Sequence, residues 1–260
     1  MKVRKVHPWR AVWVVGSEQI AHFQQLFALL DAIGVLSFEN LYHMPYGIVT
    51  DVQGKRLGKN AADATADVIL DQMKSSAKKV IEERKIQIDL DDVNAVAEAV
   101  GIGAIRYAFL SRDPFKNVVY NPESALSFTG RSGPYIMYTY SRGKSVLRKA
   151  LGKELVNYKF EEKINGKSSS IEISPIEREL LLNLLIYPEI VLSAANNYSP
   201  SMIAEHLYTV ASAFNNFYEK MTISGAKGSQ RDFRFALTKL MTTVLKDGMM
   251  ILGIQVLERM

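Results

Sequence analysis

The chain has 260 residues, 48% of them hydrophobic and 23% charged, which is enough to bury a substantial core as one or two domains. It contains no cysteine, so disulfide frameworks and thiolate metal sites are excluded. The formal net charge is +5 with a pI near 9.2, compatible with nucleic acid but modest, so the local clustering of charge says more than the total. No apolar run approaches the roughly 18–20 residues of a membrane span. The N-terminal MKVRKVHPWRAVWVV is broken by Gly16 and Ser17 too early for a signal peptide. The expectation is therefore no membrane partner, and the cytoplasm by default or an organelle matrix.

Along the chain, Ala11–Val15 (AVWVV) reads as a buried parallel strand, apolar on both sides. Gly16 and Ser17 turn it into a helix with Ile20, Phe23, Phe27 and Leu30 on one face, and Ser17 suits an N-cap. Strand, tight turn and helix form one unit of a nucleotide-binding α/β sheet, whose ligands gather at the strand's carboxyl end. Lys55, Arg56, Leu57, Gly58 and Lys59 follow as a basic hairpin tip, which is either a plain solvated turn or an electrostatic cradle for phosphates.

The remainder reads as helices. Asp89–Tyr107 opens with an acidic run suited to a helix N-terminus, and its Gly101 and Gly103 permit close backbone packing. From Pro134, the residues Ile136, Tyr140, Gly143, Leu147 and Ala150 form a core-facing stripe. Tyr135, Tyr138, Arg142, Ser145 and Lys149 share the opposite side, where rings and cations suit unstacked bases and phosphates. Partly buried tyrosines beside solvated basic residues are the plainer alternative. Arg131, Lys144, Arg148 and Lys153 thicken the basic cluster. Ser168–Ser170 looks like a loop tip. Pro175–Tyr187 starts a helix with a leucine face that Pro188 interrupts. Ile203, Leu207, Val210, Phe214, Phe217 and Met221 trace one further helix, and Phe233, Leu237, Leu240, Val244 and Ile251 the last. Met241, Met249 and Met250 read as core filler.

Several of these segments resemble arginyl-tRNA synthetases. ALSFTGRSGPYIMYTYSR is similar to the "LSFEGNTGPYLQYAYAR" that opens the family's anticodon-binding domain, and LYTVASAFNNFYE is similar to its "LYDLAQAFNxFYE". The final ERM is also how these synthetases end. Nearer the start, VVGSEQIAHFQQLFALLDAIG resembles "VVGAEQxLHFxQxFxxLxxLG" of the second half of the catalytic domain. The fold so implied is mainly α: a partial Rossmann-like α/β segment over 1–95, then an all-α anticodon-binding helical bundle over 96–260.

The resemblance also implies sites. Gly16, Glu18, Gln19, His22 and Gln25 would line the amino-acid and ATP side, with His43, Tyr46 and Gly47 under the adenosine, although His22, His43 and Tyr46 also suit plain packing. Lys55, Arg56 and Lys59 stand where the family's KMSKS loop meets ATP phosphates, but that loop's serines are lost. On the bundle, tRNA would meet Tyr135, Tyr138, Arg142, Lys149, Phe214, Asn215, Tyr218 and Met260, with Asn215 reading a base edge and Phe214 competing as core. The four histidines (His7, His22, His43, His206) form no HxGH motif, so no catalytic residue is expected, and with no cysteine no metal site is expected either. ATP with magnesium would act only in a complete synthetase, with an arginine-accepting tRNA as partner and a second polypeptide supplying the HxGH half. A non-catalytic tRNA- or RNA-binding paralogue, regulatory or within a ribonucleoprotein, is the alternative.

Overall fold

A computed structural model of the protein describes residues 8–57, 65–83, 93–151 and 171–260. The chain forms two compact units, Met1–Thr65 with Arg112–Asn121, and Ala66–Ser111 with Pro122–Met260. Lys59, Lys153, the serine tip at 168–170 and the acidic start at 89–92 lie outside the described residues.

In the first unit, β1 (Ala11–Gly16) runs parallel to β2 (Leu41–Tyr46), in register from Ala11↔Leu41 to Gly16↔Tyr46. The connecting helix α1 (Ile20–Ala32) buries Phe23, Phe27 and Leu30 against Leu41, with Ala11, Trp13 and Val15 packed alongside. The rings of Phe23 and Phe27 lie 6.1 and 5.0 Å from that of Trp13. The strand is not buried on both sides as expected. Val12 and Val14 are 42% and 62% exposed, because α1 covers only the face reached by alternate residues. Ser17 is not an N-cap: it enters a 3₁₀ turn (Ser17–Gln19), and α1 starts after Gln19 with no side-chain cap.

Next, β3 (Val49–Thr50) pairs in parallel with β4 (Val118–Val119). The Tyr120 N–H donates to the Thr50 carbonyl at 2.7 Å, and the Ile48 N–H to Asn117 Oδ1 at 2.8 Å. These bonds draw 112–121 into the first unit. The division therefore differs from the single boundary expected at residue 95: the units interleave, and the second begins at Ala66.

The second unit is helical: α2 (Ala66–Glu83), α3 (Val93–Leu110), the one-turn α4 (Pro122–Ala125), α5 (Gly133–Leu151), α6 (Pro175–Leu185), α7 (Tyr187–Asn196), α8 (Pro200–Lys220) and α9 (Gly228–Ile251). Both glycines of α3 act as expected. A Cβ on Gly101 would lie 3.1 Å from the backbone of Met73 and Lys74, and one on Gly103 2.9 Å from Met137 Sδ. By length and composition α3 and the stretch Pro175–Asn196 are apolar enough to cross a membrane, contrary to the sequence reading. However, α3 buries Val96, Ala97, Val100, Ala104 and Tyr107 inside the unit, and the second stretch is two helices broken at Ile186. Ser174 and Glu177 cap α6 reciprocally.

The stripe on α8 is buried as expected at Ile203, Leu207, Val210, Phe214 and Phe217. That on α9 is only partly so. Leu237, Val244, Met241 and Met249 are buried, but Leu240, Ile251 and Met250 are exposed. Phe235, Leu245 and Gly248 complete the buried side, a wide arc because α9 meets both α5 and α8: Gly143 faces Met241, and Gly248 faces Leu207.

Candidate nucleic-acid interface

The start of α5 is fixed by Ser132, whose hydroxyl donates to the Ser127 carbonyl and accepts from the Tyr135 N–H at 3.2 Å. The core stripe follows the wheel: Ile136, Tyr140 and Leu147 are 1–2% exposed. The opposite side is not simply solvated. Tyr135, Tyr138, Arg142 and Ser145 are half-buried and only Lys149 is exposed, because α8 runs beside this face.

Asn215 ties the seam together. It accepts from an Arg142 guanidinium N–H at 2.7 Å and donates to Tyr135 Oη at 2.9 Å and Thr139 Oγ1 at 3.0 Å. The Arg142 guanidinium sits 4.9 Å from the Tyr138 ring centroid and 5.0 Å from that of Tyr218, a cation between two aromatic faces. Tyr138 also meets Phe128 edge-on at 6.2 Å. Further along, Tyr135 lies against Tyr208 at 5.8 Å, and Arg131 covers the Tyr208 ring at 5.0 Å while pairing with Glu205. Tyr208 and Ser212 went unnamed in the sequence reading, yet with Asn215 they recur at steps of four and three, a second legible face of α8.

The C-terminal tail is strapped along α5. Ser141 Oγ donates to the Leu257 carbonyl at 2.6 Å, Tyr140 Oη to Glu258 at 3.1 Å, and Lys144 pairs with Glu258 at 3.1 Å. Burial, then the Glu258 charge beside it, pushes the Tyr140 phenol up to about 12. This strap delivers Met260 to a cleft of about 600 Å³, which Tyr138, Arg142, Lys149 and Tyr218 also line. Thus five of the residues expected to meet tRNA share one concavity.

Two others need correction. Phe214 is fully buried, packed 6.1 Å from Phe217, and has no free face for a base. Asn215 has both amide hydrogens committed inside the protein, so it has no donor left for a base edge. The basic cluster is also smaller than its count. Arg131 is paired with Glu205, Lys144 with Glu258, Arg142 is held by Asn215 and Arg148 reaches the Glu258 carbonyl at 3.5 Å, so among the described residues Lys149 is the member of the cluster that is exposed without an ion pair.

In the first unit, Gly16, Glu18, Gln19, Tyr46 and Gly47 gather at the carboxyl end of the parallel pair. The Glu18 carboxylate folds over Gly16, where an added Cβ would lie 2.2 Å from it. Gly47 is needed for close approach, since its Cβ would lie 2.3 Å from the Lys116 carbonyl oxygen. Gln25 and His22 are exposed, the latter edge-on to Phe23 at 5.5 Å. His43 is a packing residue: its ring stacks on Phe23 at 4.4 Å and Nε2 lies 3.2 Å from the Val15 carbonyl. Lys55 and Arg56 are exposed on a tight turn in which Asp51 accepts from the N–H groups of Gln53 and Lys55 and Gly54 takes φ +82. Among the described residues no group of three acidic or histidine side chains could hold a metal ion.

Comparison with known proteins puts the division later in the chain, so that α2 and α3 fall with the first match. Residues 1–121 match the family model of the class I (R) tRNA synthetase catalytic domain, and 136–260 match the DALR anticodon binding domain. The arginine–tRNA ligase of Flavobacterium psychrophilum is 35% identical over 252 residues, 96% of this chain and 40% of the relative. That of Bacteroides thetaiotaomicron is 35% identical over 254 residues, 96% of this chain and 42% of the relative. The Thermus thermophilus arginyl-tRNA synthetase structure superposes with a TM-score of 0.79 at 26% identity, covering 97% of this chain and 41% of that one. The chain therefore spans about two fifths of the length of the relatives it matches.

Proposed function

The chain belongs to the arginyl-tRNA synthetase family, and from that premise we propose that its helical unit binds an arginine-accepting tRNA on the α5–α8 face. Flipped-out bases stack on Tyr138 and Tyr218 while Lys149 meets a phosphate. The observation that carries this reading is the convergence of Tyr138 and Lys149 from α5, Tyr218 from α8 and Met260 from the tail on one cleft. Stretches of chain as far apart as Tyr138 and Met260 have no packing need to bring rings, a cation and a chain end to one rim.

The ligase reaction needs more. The family acts on ATP, and Lys55 and Arg56 supply positive charge suited to its phosphates. No HxGH motif occurs in these 260 residues. Arginylation thus requires the remaining catalytic half from another polypeptide segment, in the cytoplasm, and the chain by itself forms no arginyl-adenylate.

The test is equilibrium binding of the 260-residue chain to an arginine tRNA transcript across a salt series. Affinity should fall steeply with salt. No binding, or binding indifferent to salt, overturns the reading. Arginine-dependent ATP–pyrophosphate exchange by the chain alone would overturn the second part.

A further inference from the structure

We propose that Asn215 is a positioning residue of the tRNA-binding face, holding Arg142 between two tyrosine rings and reading no base itself; this rests on the RNA-binding reading above. A carboxamide has two N–H donors and one carbonyl oxygen. Both hydrogens are spent, on Tyr135 Oη at 2.9 Å and Thr139 Oγ1 at 3.0 Å, while Oδ1 accepts from Arg142 at 2.7 Å. The amide orientation follows from its partners. Arg142 can only donate, and the Thr139 hydroxyl gives its hydrogen to the Tyr135 carbonyl at 2.9 Å, so it must accept from Asn215. Reading adenine with an asparagine takes one donor and one acceptor presented together. Here no donor remains.

The three partners, Tyr135, Thr139 and Arg142, fall at steps of four and three on α5, so one side chain from α8 engages a whole stripe. What this fixes is the guanidinium. Arg142 has a long side chain with much freedom to lose. Pinned at one nitrogen by Asn215, it sits 4.9 and 5.0 Å from the ring centroids of Tyr138 and Tyr218 and sets their separation. Stacking on these rings is tolerant of base identity. Losing the pin should therefore weaken all RNAs alike and leave the preference among them untouched.

The test uses the 260-residue chain with Asn215→Ala and Asn215→Asp. Without RNA, the Arg142 Nε–H proton resonance should lie upfield in the wild type, shifted by the two ring currents. Asn215→Ala should move it toward its ordinary position, while Asn215→Asp, which keeps an acceptor oxygen, should hold it. With RNA, the probes are an arginine tRNA transcript and the same transcript with an altered anticodon. Asn215→Ala should weaken both by a similar factor, about tenfold, as for one lost half-buried hydrogen-bonding group. The ratio between the two should stay constant in both variants.

A base reader behaves otherwise, because Asp exchanges a donor for an acceptor and must change that ratio. A changed ratio with the Arg142 resonance unmoved overturns the proposal, as does an unshifted resonance in the wild type. If Asn215→Ala fails to fold, the wild-type resonance and the Asp variant still decide it. If the wild type binds neither RNA, the tRNA reading fails, and the resonance alone decides whether Asn215 positions Arg142.

Discussion

A Cβ built on Gly133 would lie 2.5 Å from the carbonyl oxygen of Gly103, so α5 begins where its backbone rests on that of α3. The glycine of the GPY stretch is thus a requirement of approach between two helices. It sets the depth of α5 in the unit, and with it the directions of Tyr135 and Tyr138. Gly133→Ala should cost roughly 1–3 kcal/mol, the usual range for forcing atoms into a filled space. A urea midpoint that falls with an unchanged slope would show it; an unchanged midpoint would mean the two backbones separate freely.

Glu177 is fully buried and bonded by Arg234 Nε at 2.7 Å, Gln230 at 2.8 Å and the Ser174 N–H at 2.8 Å. Burial pushes its carboxyl up, but the Ser174 N–H, Arg234 and the Ser174 hydroxyl outweigh it, so the net shift is downward from 4.5. The folded form therefore holds its proton more weakly than the unfolded chain. The stabilisation is present above pH 4.5 and is lost as pH falls through the lower folded value. Arg234→Met should cost about 3–5 kcal/mol at neutral pH by stranding a buried carboxylate. Its loss should shrink as the medium is acidified, measurable by denaturant unfolding at several pH values.

His206 is buried on α8, its ring 5.9 Å from that of Tyr187, and its Nε2 has no hydrogen-bond partner among the described residues. Desolvation lowers its pKa below 6.5, against a smaller opposing effect of the hydrogen bond with the Asn183 backbone. The unfolded chain binds a proton that the folded state refuses. Stability should hold above pH 6.5 and decline as pH drops below it. His206→Leu should flatten this dependence between pH 5 and 7, and an unchanged slope would show that another group carries it.

On the proposed tRNA face, Tyr138→Ala should cost roughly 1–3 kcal/mol of binding with the salt slope nearly unchanged, since a stack and no phosphate contact is removed. Lys149→Gln should instead lower the slope by about one phosphate and weaken every RNA alike. Tyr135 is better tested as Tyr135→Phe than as Ala, because its ring packs on Tyr208 and its hydroxyl on Asn215. Equal slopes for the Tyr138 and Lys149 variants would sink the division between stacking and charge.

Sequence periodicity alone identified the buried faces of α5 and α8, down to Ile136, Tyr140, Leu207 and Phe217. Local chemistry likewise announced the helix start at Pro175. Such features depend on neighbours within a turn or two, and 3.6-residue spacing records which side must leave water. The wheel went astray where burial has two sources. On α9, contact with two helices hides Phe235 and Leu245 but leaves Leu240 and Met250 outside. On β1, the expected second cover is absent among the described residues, so Val12 and Val14 stand exposed.

Partnership between distant segments could only be decided by the assembled molecule. That Asn215 holds Arg142, 73 positions away, depends on how α8 lies across α5, and no residue type or spacing encodes that. The same holds for the pairing of Val49 with Val118, which interleaves the two units, and for the tail that Ser141 fastens to bring Met260 to the cleft. Hydrogen bonds act over about 3 Å, whereas the hydrophobic pattern of a sequence constrains only which face is covered. The sequence therefore determined the family and the buried faces, and tertiary packing decided which polar side chains stay exposed and which are spent on the protein itself.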